Sequence, residues 1–292
     1  MLFINADDFG LSRGINNGIL ESIKYGIVNS VSIVPNGYAF KDGIKKIKSK
    51  KIKKISIHIN LVELEPVSPT IKINKIVNKN KELNLSPIKL AIINFLYTKN
   101  KKRIISNQIK IEMENQIKKI LRNINKKNFI IGIDSHYHIH VLPFIFKIII
   151  KLVKKYKINY LRIPLENNIL DQFNFKYFFE FFLNMPKVVL INFFSAYCKY
   201  KYLKKSNIQH NQKFYGSLFS GNFSSGKFER ALIIAKKNNA ITEIISHPGN
   251  IVSTEKKLWK NKNLINNYFS QNRIIEKNTL SNKKLKKILK NY

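Results

Sequence analysis

The chain of 292 residues carries 53 Lys and Arg against 17 Asp and Glu, a formal net charge of +36. This length suits one large α/β barrel or two smaller domains, and no linker-like stretch requires two. Such a basic chain could bind nucleic acid, an anionic membrane or an acidic substrate. Its lysines form no block interleaved with aromatic residues, and Lys, Asn, Ile, Tyr and Phe occur throughout, as an AT-rich coding sequence would produce. We therefore expect no nucleic-acid partner and treat the charge as a weak guide to function.

The cysteine content and the apolar segments limit the cellular setting. The single cysteine, Cys198, excludes an internal disulfide and fits a reducing compartment, so we expect a cytoplasmic protein. The first residues show no basic region followed by an apolar core, so no signal peptide is predicted. In the apolar region 173–202 the longest uninterrupted piece is 188–197, which is too short to span a bilayer. Peripheral contact with an anionic membrane stays open.

The first predicted strand, residues 2–5, ends in two adjacent carboxylates, Asp7 and Asp8. A turn alone favours Asp and the following Gly10. Vicinal carboxylates at a strand end also suit a metal site, where one binds the ion and the other acts as a base. The residues by themselves leave both interpretations open. Ser12 is placed to cap a helix that runs to about Tyr25.

The next strands bring one histidine and then a change of pattern. Residues 28–34 and 55–61 read as strands, and His58 points away from the face that carries Ile57 and Ile59. A lone histidine there is more often a satisfied core residue than a ligand, unless its strand lies beside other strands that end in polar groups. Residues 62–128 are polar and then helical, which predicts a helical lid-like insertion over the rim where these strands end.

Three of the six histidines lie in the segment 134–140, at every second position after a carboxylate. Residues 129–133 predict a buried strand, so this segment lies where the strand ends. If the backbone stays extended, Asp134, His136, His138 and His140 point the same way. Crowded imidazoles repel when charged and lack partners when neutral, so a metal or a carboxylate usually accompanies them. A solvated His-rich loop is the alternative.

The second half of the chain repeats the alternation of strand and helix. A helix over 144–156 precedes a strand over 160–164, where Arg162 could bind a catalytic or substrate carboxylate or pair with Glu166. Residues 171–205 are helical and aromatic, which favours packing over a groove for a lipid-linked substrate. Strands over 214–218 and 242–246 follow, the latter ending in His247, and the Lys-rich tail predicts a closing helix with a partly ordered end.

Five different strand-and-turn units supply polar residues that could carry chemistry, and each of these residues lies at the carboxyl end of its strand. They are Asp7 and Asp8, His58, His136, Arg162 and His247. Strands that alternate with helices form a parallel sheet. About seven such units predict a single domain, 1–292, in the α/β class: a distorted (β/α) barrel whose mouth gathers these side chains. Two histidines and a carboxylate leave open positions on a metal, which is typical of a hydrolytic site.

The motifs N-A-D-D-F-G at 5–10, H-I-N-L at 58–61, D-S-H-Y-H-I-H at 134–140, R-I-P-L-E at 162–166 and H-P-G at 247–249 resemble a known family. They are similar, in this order, to the YdjC-like carbohydrate deacetylases, including the hopanoid-biosynthesis-associated members. The resemblance runs from residue 2 to about residue 250, while 62–128 and 167–213 match loosely.

The resemblance implies a distorted barrel that removes N-acetyl groups from amino sugars with a divalent metal, Mg²⁺ or Zn²⁺. Carried over by position, Asp8, His58 and His136 would hold the metal, Asp7 would be the base and His247 the acid. We further expect Arg162 to orient Asp7 and keep it ionised.

Further expectations concern the substrate and the alternatives. His138, His140 and Glu166 are predicted substrate contacts, and the substrate is expected to be an N-acetylglucosamine-type sugar, either an oligosaccharide or a lipid-linked glycan. A homodimer stays open. A metal-dependent phosphoesterase or another amidohydrolase is the alternative enzyme. A basic protein that binds nucleic acid or membrane, with a vestigial site, is the alternative from another class.

Overall fold

The structure is a computed structural model, and the residues it describes are 1–47, 51–167, 175, 178–204, 206–236, 240–260 and 262–290. Its centre is one parallel sheet. The described strands are β1 (Leu2–Phe9), β2 (Ser30–Ile33), β3 (Lys54–Ile59), β4 (Ile130–Ser135), β5 (Tyr160–Leu161), β6 (Gln209–His210), β7 (Lys213–Tyr215) and β8 (Thr242–Ser246).

The strand order explains why the sheet places chemistry at one edge. The strands lie in the order β6-β5-β4-β3-β2-β1-β8-β7, and every hydrogen-bonded neighbour pair is parallel. The sheet curls into a half-barrel whose outermost strands are β6 and β7. Since all strands run the same way, their carboxyl ends meet at a single rim.

Helices connect the strands and cover the sheet. Among the described residues they are α1 (Arg13–Lys24), α2 (Phe40–Lys46), α3 (Pro87–Leu96), α4 (Lys99–Asn123), α5 (Pro143–Tyr156), α6 (Phe178–Cys198), α7 (Ser225–Lys236), α8 (Lys262–Tyr268), α9 (Gln271–Leu280) and α10 (Lys283–Lys290). A π-helical turn, Lys199–Leu203, extends α6. Every residue of β1 and β3 is buried, as expected of a parallel sheet covered on both faces.

The predicted architecture is confirmed: the chain is an α/β half-barrel, and its described residues form eight parallel strands where about seven were expected. Each predicted strand is present, and the additional strand is the two-residue β6, which is too short for a periodic pattern to reveal. Ser12 caps α1 as predicted, since its hydroxyl accepts a hydrogen bond from the Ile15 amide at 3.2 Å. The single-domain assignment and the lid-like role of 62–128 stay predictions; within that segment α4 packs against β3 and α5.

The histidine segment departs from the extended backbone on which its common orientation depended. β4 ends at Ser135, and 136–141 form a short 3₁₀ turn in which Tyr137 and His138 both have φ of 54°. This left-handed turn breaks the alternation of side chains. The prediction that all four polar side chains of 134–140 share one face is therefore wrong: His136 and His138 reach the rim, whereas Asp134 and His140 are fully buried.

The C-terminal region is more ordered than predicted. The tail contains α8, α9 and α10, and α9 packs against α1 and α7. The loop that follows β8 lies against α1, where Gly18 touches Gly249. A Cβ atom added at Gly18 would lie 2.5 Å from the Gly249 Cα atom, so glycine is required by this close approach.

We predict that Gly18→Ala destabilises the protein by about 1–3 kcal/mol, because the new methyl group collides with backbone atoms of Gly249 and Asn250. In an open helix the same change would stabilise by up to about 1 kcal/mol. Urea denaturation measures the difference. The control is Asn17→Ala at an exposed position of the same helix, for which a change within about 0.5 kcal/mol is expected. Equal stability of wild type and Gly18→Ala would contradict the contact.

Candidate active site

A cavity of about 380 Å³ opens at the carboxyl ends of the strands. The strands β1, β3 and β4 and the loop after β8 contribute one wall, and the segment from α8 to α9 contributes another. Its lining residues are Asp7, Asp8, His58, Ser135, His136, Tyr137, His138, Lys187, Ser220, Gly221, His247, Asn266, Asn267, Tyr268, Ser270, Asn272 and Arg273.

Asp8, His58 and His136 come together at the base of this cavity as predicted. The Oδ1 atom of Asp8 lies 3.6 Å from Nε2 of His58 and 3.3 Å from Nδ1 of His136. The three ligand atoms lie within 4.8 Å of one another, and all three residues are buried. Donors about 2.0–2.2 Å from a common cation lie about 3–3.5 Å apart, which is close to the observed spacing.

The partners of these three residues leave the right atoms free for a cation. Nδ1 of His58 lies 2.6 Å from Oδ1 of Asp134, so its proton points away from the cavity and Nε2 keeps a lone pair facing Asp8. Oδ1 of Asp8 is buried and has no hydrogen-bond partner among the residues that the structure describes. An orphaned carboxylate oxygen that faces two imidazole nitrogens fits a divalent cation. The donor set of one oxygen and two nitrogens suits Zn²⁺ and accommodates Mg²⁺ less readily.

His136 is held on its other side by groups from distant parts of the chain. Its Nε2 atom lies 2.9 Å from the Tyr268 hydroxyl and 3.2 Å from Oε1 of Glu63, and that hydroxyl also bonds the Glu63 carboxylate. Burial lowers the pKa of His136, but the carboxylates of Asp8 and Glu63 outweigh it and raise the pKa to about 10. The site therefore attracts positive charge, as a metal-binding site does.

Asp7 is directed to the cavity by the Arg162 guanidinium. Two parallel hydrogen bonds of 2.9 Å each join Nη1 and Nη2 of Arg162 to the two oxygens of Asp7, and the Asn5 amide donates a third at 2.6 Å. Burial alone would raise the pKa of Asp7, yet Arg162, with His58, lowers it well below its ordinary value. The predicted role of Arg162, orienting Asp7 and keeping it ionised, matches this geometry.

Arg162 also binds two other buried carboxylates. Its Nε atom donates to Glu243 at 2.9 Å, and Nη2 lies 2.9 Å from Oδ2 of Asp134. Lys54 pairs with Glu243 at 2.7 Å, and all these side chains are fully buried. Burial raises and Arg162 lowers the pKa of Asp134, with a net lowering that keeps it ionised as the partner of His58.

His247 lies across the cavity mouth from Asp7. Its Nε2 atom is 4.0 Å from Oδ2 of Asp7, and its backbone amide donates to the Glu276 carboxylate on α9. Its Nδ1 atom is buried and lies 3.9 Å from that carboxylate, and within the described part of the chain it has no hydrogen-bond partner. An imidazole in this position faces the same space as Asp7, which is where the predicted acid and base need to be.

Of the three predicted substrate contacts, His138 lines the cavity and the other two lie behind it. His138 bonds the Ser217 hydroxyl at 3.2 Å through Nε2, and burial followed by the charge of Arg162 lowers its pKa well below the ordinary value, so the ring is neutral. His140 lies between the Ser135 hydroxyl and the Arg162 carbonyl, at 2.7 and 2.9 Å. The Glu166 carboxylate accepts the backbone amides of 216 and 217 at 2.9 and 2.8 Å. Substrate contact by these residues stays a prediction.

Sequence reasoning missed Glu63, Tyr268 and Arg273. Nη2 of Arg273 donates to Oδ2 of Asp8 at 2.7 Å, and none of the described residues forms a hydrogen bond with its buried Nη1. Burial alone would raise the pKa of Asp8, but Arg273 and then His136 lower it well below its ordinary value. Tyr268 and Arg273 lie in a Lys- and Asn-rich tail that carries no motif. Arg273 belongs to α9, which packs on α1, and Tyr268 ends the preceding helix α8.

The fold and this site define an α/β half-barrel protein with an Asp-His-His cluster and a separate Asp-Arg pair at the carboxyl ends of its strands. The sequence profile of the YdjC-like protein family matches residues 1–291, and the chain belongs to that family. A crystal structure from Enterococcus faecalis V583, described as a candidate cellobiose-phosphate cleavage protein, has the same fold. It matches with a TM-score of 0.72 and 18% sequence identity, covering 99% of this chain and 94% of that one.

Several relatives carry the name carbohydrate deacetylase. One from Clostridium beijerinckii is 31% identical over 161 residues, which is 54% of this chain and 58% of that protein. One from Oceanobacillus iheyensis is 27% identical over 156 residues, or 53% and 61%. One from Mus musculus is 27% identical over 170 residues, or 58% and 52%. The chain thus spans somewhat more than half the length of these relatives.

We predict that the protein binds Zn²⁺ through Asp8, His58 and His136. Either His58→Ala or His136→Ala should weaken Zn²⁺ binding by about 10-fold to 100-fold or more, because each variant removes one donor. Titration calorimetry with Zn²⁺ on metal-stripped protein measures this. The control is His210→Ala, which removes a histidine on β6 that lies outside the cavity lining. Unchanged affinity in both site variants would contradict the assignment.

A second prediction concerns acid sensitivity. Burial lowers the pKa of His140 to about 4, although a hydrogen bond to the Arg162 carbonyl opposes it. An unfolded histidine has a pKa of about 6.5, so below that pH the unfolded chain takes up a proton that the folded chain refuses. The contribution of neutral His140 to the free energy of unfolding is therefore fully present above about pH 6.5. It declines as the pH falls towards about 4, by up to about 1.4 kcal/mol per pH unit.

The His140→Gln variant keeps a donor for the Arg162 carbonyl but cannot titrate. We therefore expect its unfolding free energy, measured by urea denaturation at several pH values, to decline less steeply between pH 6.5 and 4 than that of the wild type. His210→Gln, which removes a histidine on β6 outside the cavity lining, serves as the control variant. Parallel curves for His140→Gln and wild type would contradict a neutral buried His140.

Proposed function

We propose that the protein is a divalent-metal-dependent hydrolase that removes the N-acetyl group from an amino sugar. The observation that carries this proposal is the pairing of an ionised carboxylate, Asp7, with an imidazole, His247, across one cavity beside the cluster Asp8, His58 and His136. Amide hydrolysis needs a base for water and an acid for the departing amine, both within reach of one carbonyl. The name carbohydrate deacetylase among the relatives supports the same chemistry.

When bound, a divalent cation would polarise the acetyl carbonyl and lower the pKa of the attacking water. Asp8, His58 and His136 would hold it. Asp134 keeps His58 in the tautomer that presents Nε2, and Tyr268 with Glu63 orients His136. These supporting contacts fix the ligands before a substrate arrives, so little reorganisation is needed during the reaction.

Asp7 would accept the proton of the attacking water. Arg162 holds it ionised and lowers its pKa, which makes it available as a base but a poor final holder of the proton. We infer that the proton moves on to the amine through His247, because Nε2 of His247 is 4.0 Å from Oδ2 of Asp7. Protonation of the nitrogen then lets the carbon–nitrogen bond break and releases acetate.

The cavity chemistry suits a small sugar. Its volume of about 380 Å³ lies in the range of small-molecule sites, roughly 300–1,000 Å³. Amide and hydroxyl side chains also line the cavity, namely Asn266, Asn267, Asn272, Ser220 and Ser270. Such groups donate to and accept from sugar hydroxyls. A free, oligomeric or lipid-linked N-acetylglucosamine compound is therefore the proposed substrate class.

A metal-dependent phosphoesterase is the second candidate, because two cationic side chains, Lys187 and Arg273, also line the cavity and could bind phosphate oxygens. The products separate the candidates. Acetate release from N-acetylglucosamine and its oligomers, with Zn²⁺ or Mg²⁺ added, supports the deacetylase. Phosphate release from sugar phosphates without acetate release would replace it.

We predict that Asp7→Asn and His247→Gln each lower kcat for acetate release by about 10²–10⁴, since each removes one proton-transfer group. Both variants should still bind Zn²⁺, because neither residue belongs to the ligand cluster. His210→Gln is the control and should keep wild-type kcat. Circular dichroism confirms folding, which matters for Asp7→Asn because Asp7 pairs with the buried Arg162. Full activity of folded, metal-loaded Asp7→Asn would refute its role as base.

A further inference from the structure

The helix α6 exposes an apolar surface that the sugar chemistry does not need. Sequence patterning favours packing for this aromatic stretch, but most of its large side chains are exposed. Three examples are Phe179 and Leu183, each 78% exposed, and Phe193, 66% exposed. We define the α6 stripe as the exposed residues Phe178, Phe179, Phe182, Leu183, Val189, Leu190, Phe193 and Tyr197.

The stripe is continuous along one side of the helix. At 3.6 residues per turn its eight positions fall within an arc of about 140°, and no residue in that arc is charged. The opposite side packs on the protein: Phe181, Val188 and Cys198 are buried, and the Cys198 thiol donates to the Val141 carbonyl at 3.1 Å. The helix therefore lies along the surface of the fold and presents one apolar side outward.

A bilayer is the partner whose chemistry this surface fits. Among the described helices, the one from Phe181 to Leu203 is long and apolar enough by length and composition to cross a membrane, although its longest uninterrupted apolar piece is only 188–197. Its buried side is fixed to α5 and to 136–141, which favours a helix lying in the plane of the interface over one that spans it. Tyr197 and Tyr200, both exposed near the helix end, are typical of such interfaces.

Charge selects an anionic bilayer. Lys201 and Lys204 are exposed directly after α6, and the chain as a whole carries +36. Basic residues at the edge of an apolar helix surface are attracted to anionic lipid headgroups. A second copy of the chain is a weaker candidate, because two molecules of +36 repel each other.

The same helix reaches the cavity. Lys187 lies on α6, just outside the arc of the stripe, and lines the cavity wall. A bilayer bound to the stripe would therefore lie beside the cavity mouth. We propose that the α6 stripe and its flanking lysines bind the surface of an anionic membrane, with α6 parallel to the bilayer plane. This inference does not depend on the reaction assigned to the site.

Flotation of the full chain with vesicles tests the proposal. We expect wild-type protein to float with phosphatidylcholine vesicles that contain about 30% phosphatidylserine and to bind pure phosphatidylcholine at least about 10-fold less. Phe179→Ser/Leu183→Ser/Phe193→Ser should lose binding to both, again by about 10-fold or more. Lys201→Glu/Lys204→Glu should weaken the preference for phosphatidylserine and keep the binding to pure phosphatidylcholine.

The matched control is Ile88→Ser/Phe95→Ser/Leu96→Ser on α3, whose side chains are 74%, 69% and 76% exposed. It removes similar apolar surface elsewhere and should keep wild-type binding. Equal loss of vesicle binding in both triple variants would overturn the assignment to α6. Protein that resists alkaline extraction from the vesicles would also overturn the proposal, because a helix lying in the interface is extracted and a spanning helix is not. Light scattering that shows a dimer abolished by the α6 variant, without vesicle binding, would replace the bilayer by a second copy. Acetate release from soluble sugars should be unchanged in the α6 variant, so this result is independent of the proposed reaction.

Discussion

The binding of one arginine to three buried carboxylates is the interaction on which the interior of this protein depends. Arg162 at the end of β5 contacts Asp7 of β1, Asp134 of β4 and Glu243 of β8. It thereby joins the neighbouring strands β4 and β5 to the neighbouring strands β1 and β8, and β2 and β3 separate these two pairs in the sheet. Removing one partner of such a pair leaves an uncompensated charge in a dry interior, which costs about 3–5 kcal/mol. The half-barrel therefore holds these residues in a fixed relation, and the lowered pKa values of Asp7 and Asp134 keep both carboxylates ionised at neutral pH.

The same network orients the residues of the candidate active site, which lie next to it at the rim. Asp134 orients His58, and Arg162 positions Asp7, so the groups that meet at the rim are directed by charges buried beneath the rim. Other parts of the chain contact the ligand cluster from the side of the cavity. Glu63 follows β3, while Tyr268 and Arg273 come from the C-terminal helices. The cluster Asp8, His58 and His136 is thereby enclosed from both sides. The surface of α6 extends this arrangement outward, since Lys187 on that helix lines the cavity while the α6 stripe faces away from the protein.

Much of the site could be predicted from local pattern. Asp7, Asp8, His58, Arg162 and His247 each follow or end a short apolar segment, and parallel strands bring their carboxyl ends together whatever the details of packing. The prediction for 134–140 failed because two left-handed residues, Tyr137 and His138, replace the extended backbone after β4, and the sequence there carries no glycine to announce such a turn. The aromatic stretch was assigned to packing because an exposed and a buried apolar residue look alike in a sequence.

The sequence by itself determined the α/β class, seven of the eight described strands, the cap of α1 and the residue types at the strand ends, because these follow from short-range periodicity and side-chain chemistry. Tertiary structure alone decided that Arg162 serves three carboxylates, that His140 is buried while His136 reaches the cavity, that Arg273 binds Asp8 across 265 positions of sequence, and that one side of α6 faces outward. Those outcomes depend on which distant segments pack together. Contacts of that kind leave no periodic pattern in the chain, so only the folded structure reveals them.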